Sequence, residues 1–583
     1  MRRIHHLVPR RRTLAGAVAM LTTAALPAVA LQAVAPPAAM ATSTARVIVT
    51  TGGDTGAAER VVRTAGGSVG RELPLVYGFA AEVPAAALPA LARTAGVRSV
   101  TPNASGHLLS VNPTLGYDEK ADEGALSFVS DVVNARAAWA KGYTGKGVDV
   151  ALIDSGVAQV NGLTSGNVIN GPDLSLESQH ADVRYLDTFG HGTHMASIIA
   201  GRDTAGTPAS YATAGSFTGI APDARIISLK VAASDGGADV SQVIAAIDWV
   251  SQHAHTDGLN IRVLNLSYGT DSVQSAALDP LSYAVEQAWR RGIVVVVAAG
   301  NDGTTRAELA DPAINPYVVA VGASDPVSST GTKDDTVPTF AQRGTSTRHV
   351  DVIAPGVHIL GLRVPNSYVD QNNPAGRVGT RFMRGSGTSQ ATAVVSGVTA
   401  LLAQRYPTAT PDQLKYLLTA GASKTEAAKD LWQGLGTVDA GSALGVSITG
   451  APVQSYPAAT GWGTLEGARG SSHLTNNGVL LTGEMDIFGR AWKATTWSAA
   501  VAANTAWTGG TFNGYGYTGT GWATSTSWAA VTWTTDWSSG TWSSRSWVSR
   551  TWVGSSWDSR SWVDSSWASR SWVDHSWASA SWS

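Results

Sequence analysis

The chain has 583 residues, of which 44% are apolar and 14% charged, with a net charge of −2. That near-neutral balance, with no block of like charge, excludes the basic footprint of a nucleic-acid-binding protein, while length and apolar content allow a large core and suggest three or four domains. With no cysteine at all, disulfide stapling and a cysteine nucleophile are excluded, leaving packing, bound ions or slow unfolding to stabilise the fold.

Arg2, Arg3, Arg10, Arg11 and Arg12 precede an apolar run over 14–35 and small residues at 39–41. Charge, apolar stretch and cleavage site together read as a secretory signal over 1–41. The run is long enough for a retained membrane anchor, but Pro27, Pro36 and Pro37 interrupt it, and no later stretch is apolar enough to span a bilayer. A loose twin-arginine match leaves the export route open. Abundant Ala, Gly and Arg suggest a bacterial source. Residues 42–103 then predict a strand at 46–50, a helix at 57–64, extended chain at 73–83 broken at Gly78, a helix at 85–94 and a strand at 97–101. This is a small α+β unit of the split βαβ type. Residues 104–130, of mixed polarity with several turn formers, read as a linker.

Between 131 and 450, short runs rich in Val, Ile and Leu recur at 148–153, 225–230, 262–266, 292–298 and 317–322, with helical patterns at 240–251, 282–290 and 391–402. Near-continuous apolar runs suit strands buried on both faces of a parallel sheet. The expectation is an α/β domain, a doubly wound, mostly parallel sheet with helices on both faces. Asp154 closes the first run in ALIDSGV, at the carboxyl end of a strand, where open sheets bind ligands; a carboxylate there could hold a metal, a ribose or a histidine. His191 in FGHGTHMASIIAG opens a helix with Gly192, Ala196 and Ala200 at helical spacing, small residues that permit close helix packing. Alone it could be a structural histidine. With His194 it forms an H-x-x-H pair, but a zincin needs four-residue spacing and a Glu, so no metal is assigned. Ser389 in GSGTSQATAVVSG follows a Gly-rich turn and opens an apolar helical pattern; alone it could be a turn residue. In the order Asp, His, Ser, the three match one of the convergent nucleophile triads.

On these motifs the chain resembles the subtilisin family of serine proteases. The stretches TGIAPDARIISLKV, NPYVVAVGA and VDVIAPGVHI also resemble family framework, from about residue 131 to 444. The resemblance implies that Asp154 orients His191, that His191 is the general base, and that Ser389 forms an acyl-enzyme. It implies Asn301, in VVVVAAGND, as a side-chain oxyanion donor, although Asn-Asp-Gly is also a strong turn signal. Ser267, Tyr268 and Gly269 fall on the family's substrate-aligning strand, and that segment together with Ala298, Ala299 and Gly300 would wall the primary pocket. The chain departs from the family at Gln390, where Met is usual, at Ala393, where Pro is usual, and at Tyr268, where Leu is common. Ala is a good helix former, so the second change should be harmless; a buried Gln390 would need a partner. No cofactor is required for the chemistry. The family often binds structural calcium, but no carboxylate cluster here can be assigned to it. Residues 42–103 resemble, by pattern and position, the family's ferredoxin-like inhibitory propeptide, which puts the maturation cut in the linker; an unrelated small domain is the alternative.

From Ala451 the composition shifts to Gly, Ser, Thr and Trp, and from Trp537 to Trp582 a Trp recurs every fifth residue. A five-residue period scatters Trp around an α-helix, and on a continuous strand same-face Trp would stand about 33 Å apart. The tail is therefore either low-complexity disorder or a turn-containing repeat presenting flat rings to polysaccharide or cell-wall polymers, with Arg545, Arg550, Arg560 and Arg570 adding contacts. The whole reads as a secreted serine endopeptidase acting on proteins or peptides, made as a self-processing precursor inhibited by its own propeptide, without a transmembrane anchor when mature. A processing or exo-acting peptidase is an alternative, as is a wall- or polymer-binding protein whose protease domain only matures the precursor.

Overall fold

The computed structural model describes residues 44–102, 115–516 with short gaps, and 550–553. The predicted signal, much of the linker and nearly all of the Trp repeat lie outside the described residues. The chain divides into two compact units between residues 107 and 108.

In the first unit, strands β1 (Thr44–Thr51), β2 (Ser68–Leu73), β3 (Gly78–Pro84) and β4 (Val97–Pro102) and helices α1 (Gly56–Thr64) and α2 (Leu88–Ala92) follow the order β1-α1-β2-β3-α2-β4. The predicted extended run over 73–83 is in fact the second half of a hairpin, with the break just before Gly78. The strands form an antiparallel sheet in the order β2-β3-β1-β4. Alternate residues Val47, Val49, Phe79, Ala81 and Val83 face Ala58 and Val62 of α1 and Leu91 of α2, giving the unit its own small core.

The second unit begins with α3 (Leu126–Val132) and α4 (Ala135–Ala140) and is built on a seven-stranded parallel sheet. Its strands are β5 (Asp149–Asp154), β6 (Val168–Asp173), β7 (Arg225–Lys230), β8 (Ile261–Leu266), β9 (Val294–Ala298), β10 (Val319–Ser324) and β11 (Val352–Pro355), in the order β11-β10-β9-β8-β5-β7-β6. Every residue of β5, β8, β9 and β10 is buried, which is why runs such as VVVVA carry no polar alternation. Two helix pairs cover the sheet: α5 (His191–Ala200) packs on α9 (Thr388–Arg405), and α6 (Val240–His253) packs on α7 (Pro280–Arg290). The short α8 (Tyr368–Asn372) lies between them in sequence. The doubly wound expectation holds, with two edge strands added that sequence patterning did not reveal: β6 reads VINGPD and β11 reads VIAP, each short and carrying a proline.

Packing in the second unit reaches beyond residues 131–450 on both sides. Within the predicted linker, Leu115, Tyr117, Leu126, Phe128 and Val129 are buried in the core of the second unit. Nor does the composition shift at 451 end the packed unit. Leu465, Ala468, Trp492, Trp497, Val501, Trp507 and Phe512 join the same apolar core. Few but large apolar residues, widely spaced among Gly, Ser and Thr, are enough to dock this stretch. Of the Trp repeat, Arg550–Val553 forms a strand antiparallel to His473–Asn476. Among the described residues no helix is long and apolar enough to cross a membrane.

Candidate active site

Asp154 is the last residue of β5, a strand flanked by β7 and β8 near the middle of the sheet. His191 is the first residue of α5, and its Nδ1 lies 3.0 Å from each Asp154 carboxylate oxygen. Both side chains are buried, so the pair is shielded from screening by solvent. The close approach depends on Gly192: a Cβ there would meet the Gly156 carbonyl at 2.2 Å and Asp154 Oδ1 at 3.1 Å.

A network beneath the pair, which the sequence motifs did not disclose, fixes it in place. The Ser155 N–H donates to Asp154 Oδ1 at 2.7 Å, and the Ser155 hydroxyl donates to Asp187 Oδ1 at 2.8 Å while accepting from Gly192 N–H at 2.9 Å. Asp187 accepts as well from Gly190 N–H at 2.6 Å and Thr193 N–H at 2.7 Å. Burial pushes its carboxyl above the ordinary range, and the hydrogen bonds from Thr193 and Gly190 oppose that shift. Asp187 thus collects donors at the start of α5 that have no helical partner of their own, and so aims His191. An acidic residue four positions ahead of a helix start was the one sequence hint. Lys230, at the end of β7, forms a buried ion pair with Glu177 at 3.0 Å and donates to the Ser155 carbonyl at 2.8 Å. Nothing local marks that pair, because its members stand more than fifty residues apart.

His194, the second histidine of the H-x-x-H pair, points elsewhere. Its Nε2 lies 3.1 Å from the Met383 carbonyl, which makes that nitrogen the donor. Burial, reinforced by His191 nearby, pulls its pKa down to about 3, so it is a neutral structural residue.

Ser389 stands in the first turn of α9, and its carbonyl accepts from the Ser267 hydroxyl at 3.3 Å. Helices α5 and α9 pack together, with His191 and Ser389 both in first turns. Asn301 Oδ1 accepts from Thr388 N–H at 2.9 Å and from its hydroxyl at 3.0 Å. Those two donors set the orientation of the amide and make Nδ2 its donor end, beside the start of α9. Ser267, Tyr268, Gly269, Ala298, Gly300 and Asn301 line a small pocket together with Ala310 and Thr388. Gly300 lies at φ +108°, and a Cβ would come within 1.7 Å of Gln342 Oε1, so backbone alone fits this wall. Ala299 does not line the pocket. It is fully buried just after β9, its N–H donating to the Val321 carbonyl at 2.9 Å. A larger cavity, lined by Trp289, Tyr317, Asp412 and Gln454 among others, contains none of these residues.

Gln390, next to Ser389, is fully buried, and neither end of its amide has a hydrogen-bond partner among the described residues. Ala393 continues α9 without disturbance. No group of three or more His, Cys, Asp or Glu that could hold a metal ion occurs among the described residues.

The family described as the Subtilase family matches residues 145–437, half of the chain. The serine protease AprX of Bacillus subtilis (strain 168) is 35% identical over 351 residues, covering 58% of this chain and 77% of that protein. Subtilisin DY of Bacillus licheniformis is 32% identical over 295 residues, covering 50% of this chain and 89% of that one. Among solved structures, fervidolysin from Fervidobacterium pennivorans, a keratinolytic enzyme related to subtilisin, matches with a TM-score of 0.43 and 24% identity over 75% of this chain and 64% of that one.

Proposed function

Because the chain belongs to the subtilase family and is a serine endopeptidase, we propose that it is exported and cleaves proteins and peptides through an acyl-enzyme on Ser389, after removing its own N-terminal unit. The observation that carries the mechanism is the buried Asp154–His191 contact, 3.0 Å from Nδ1 to either oxygen. With Nδ1–H held by Asp154, Nε2 is the basic nitrogen of the ring. It takes the Ser389 proton as Oγ attacks the scissile carbonyl, then gives that proton to the leaving amine; water repeats the cycle on the ester. The imidazolium formed on the way is stabilised by the Asp154 carboxylate. Asn301 Nδ2 and main-chain N–H groups at the start of α9 receive the oxyanion. Substrate main chain pairs with Ser267, Tyr268 and Gly269, and the side chain beside the scissile bond enters the pocket between that segment and Ala298 to Gly300. No cofactor takes part, as is general in subtilases.

Residues 42–103 act as propeptide and inhibitor. The maturation cut falls before Leu115, since Leu115 and Tyr117 are already part of the second unit's core. The pentad Trp tail retains the enzyme on insoluble polymer at the cell wall. Ser389→Ala, expressed in a host without other proteases, is expected to abolish casein cleavage and to leave the precursor uncut. Normal removal of the N-terminal unit in that variant would refute self-processing. Internal fragments from casein, rather than stepwise release from one end, are the expected product pattern.

A further inference from the structure

The stretch from Thr460 to Met485 meets the protease unit on the loop that leaves the Ser267–Gly269 segment. Thr270 exchanges two main-chain hydrogen bonds of 2.9 Å with Asp311, and its hydroxyl donates to the Ala468 carbonyl at 2.6 Å. Asp271 accepts from Ser471 N–H at 2.8 Å and from its hydroxyl at 2.7 Å. Val273 N–H donates to the Gly467 carbonyl at 3.2 Å. The Gln274 amide clasps Thr464 from both sides, accepting from its N–H at 2.7 Å and donating to its carbonyl at 2.9 Å. Farther along, Thr460 and Gly463 donate main-chain bonds to Ala277 and Leu278. Six residues of one loop are therefore held by a stretch some two hundred positions later.

The same stretch reaches a second loop through Arg469. This side chain is fully buried. Its Nε donates to Asp239 Oδ2 at 2.7 Å, and its other nitrogens donate to the carbonyls of Gly483, at 2.7 Å, and Met485. Asp239 is the N-cap of α6, its carboxylate accepting from Ser241 N–H, and it closes the connection from β7. In the sheet β7 and β8 lie on either side of β5, so the two tied loops leave the carboxyl edge on opposite sides of Asp154. A fully buried ion pair adds little net stability compared with apolar packing. What Arg469 supplies that a leucine would not is a fixed geometry among two loops and three carbonyl or carboxylate acceptors.

We propose that Arg469 and the helix Leu465–Arg469 are positioning elements of the protease site, tying the loop after β8 to the loop after β7 and so holding Ser267, Tyr268 and Gly269 where substrate main chain can pair with them. The inference rests on the reading of that segment as the substrate strand. Arg469 touches no reacting atom; it acts through Asp239 and through the Ala468–Thr270 contact.

The test uses the full-length, self-processed protein and two esters with the same leaving group, one carrying a single residue before the scissile bond and the other four. The wild-type protein is expected to favour the four-residue ester; if it does not, the substrate-strand reading fails and this inference with it. Arg469→Met strands the Asp239 charge, so Gln274→Ala is measured beside it, since that change releases the clasp without burying a charge. For both variants kcat/KM on the four-residue ester is expected to fall about tenfold to a hundredfold, the cost of a displacement near 1 Å, while the single-residue ester changes less than about twofold. If Gln274→Ala lowers both esters in parallel, or lowers neither, the positioning role is overturned.

Discussion

The family-matched sheet region and the stretch from 459 to 512 both contribute large buried side chains to one core, yet they are held by different kinds of contact. Beneath Asp154 and His191, Ser155, Asp187 and Gly190 form a compact hydrogen-bonded network. The later stretch is fastened by contacts to residues far earlier in the chain. Trp497 Nε1 donates to Asp248 on α6 at 2.8 Å, its ring meets Tyr283 of α7 edge-on at 5.5 Å, and Trp507 Nε1 donates to the Ala245 carbonyl at 2.9 Å. Damage to the first region should therefore be lost chemistry in a folded protein, and damage to the second lost stability with the triad intact.

The sharpest way to break that distinction is Asp154→Asn. It leaves the packing in place but no longer enforces the tautomer, and kcat is expected to fall about 10⁴-fold, as in comparable triads, with the melting temperature nearly unchanged. A melting temperature lowered by many degrees would mean that the pair also carries the fold. The converse is Trp497→Ala, which empties a fully buried site. It is expected to cost about 3–5 kcal/mol in denaturant unfolding while kcat on a one-residue ester stays within a few-fold. Stability unaltered by this change would show that the stretch does not belong to the folded unit.

The smallest effect concerns pH. Burial raises the Asp248 carboxyl to about 7, against the opposing pull of the Trp497 hydrogen bond and of Arg291. A carboxyl whose folded pKa lies above its unfolded value adds stability that is fully present below the unfolded value and fades as pH rises through the folded one. Attachment of the stretch should thus be firmest below about pH 4, the ordinary Asp value, and weaken through pH 7. In Asp248→Asn, which retains an oxygen for Trp497, that part of the slope disappears. The check is the difference in melting temperature between wild type and variant at pH 5 and pH 8; a difference independent of pH would count against the assignment.

The same division explains what the sequence disclosed. Strand ends and helix starts are local, so Asp154, His191 and Ser389 could be placed on the correct elements from periodicity and their surroundings alone. Asn301, Ser267, Tyr268 and Gly269 came from resemblance, and the geometry puts them around one pocket. Ala299 also came from resemblance, and it is buried outside the pocket lining. Asp187, Glu177 and Lys230 were missed because their meaning lies in partners on other elements. The edge strands β6 and β11 escaped because proline and glycine conceal short pairing segments. After 451 Gly, Ser and Thr dominate the count, while a handful of Trp and Leu side chains pack on the core.

Synthesis runs from the N-terminus, so Ala245 is made more than two hundred and fifty residues before Trp507, and Asp239 well before Arg469. The flank of α6 and the loop after β8 must wait for those partners. If Arg469 sets the substrate strand as proposed, a nascent or truncated chain carries its complete triad with the substrate strand not yet fixed, and longer substrates are aligned well only once Arg469 has been made and docked. Order of synthesis would then act on substrate range, since the nucleophile exists before the strand that aligns long substrates is fixed.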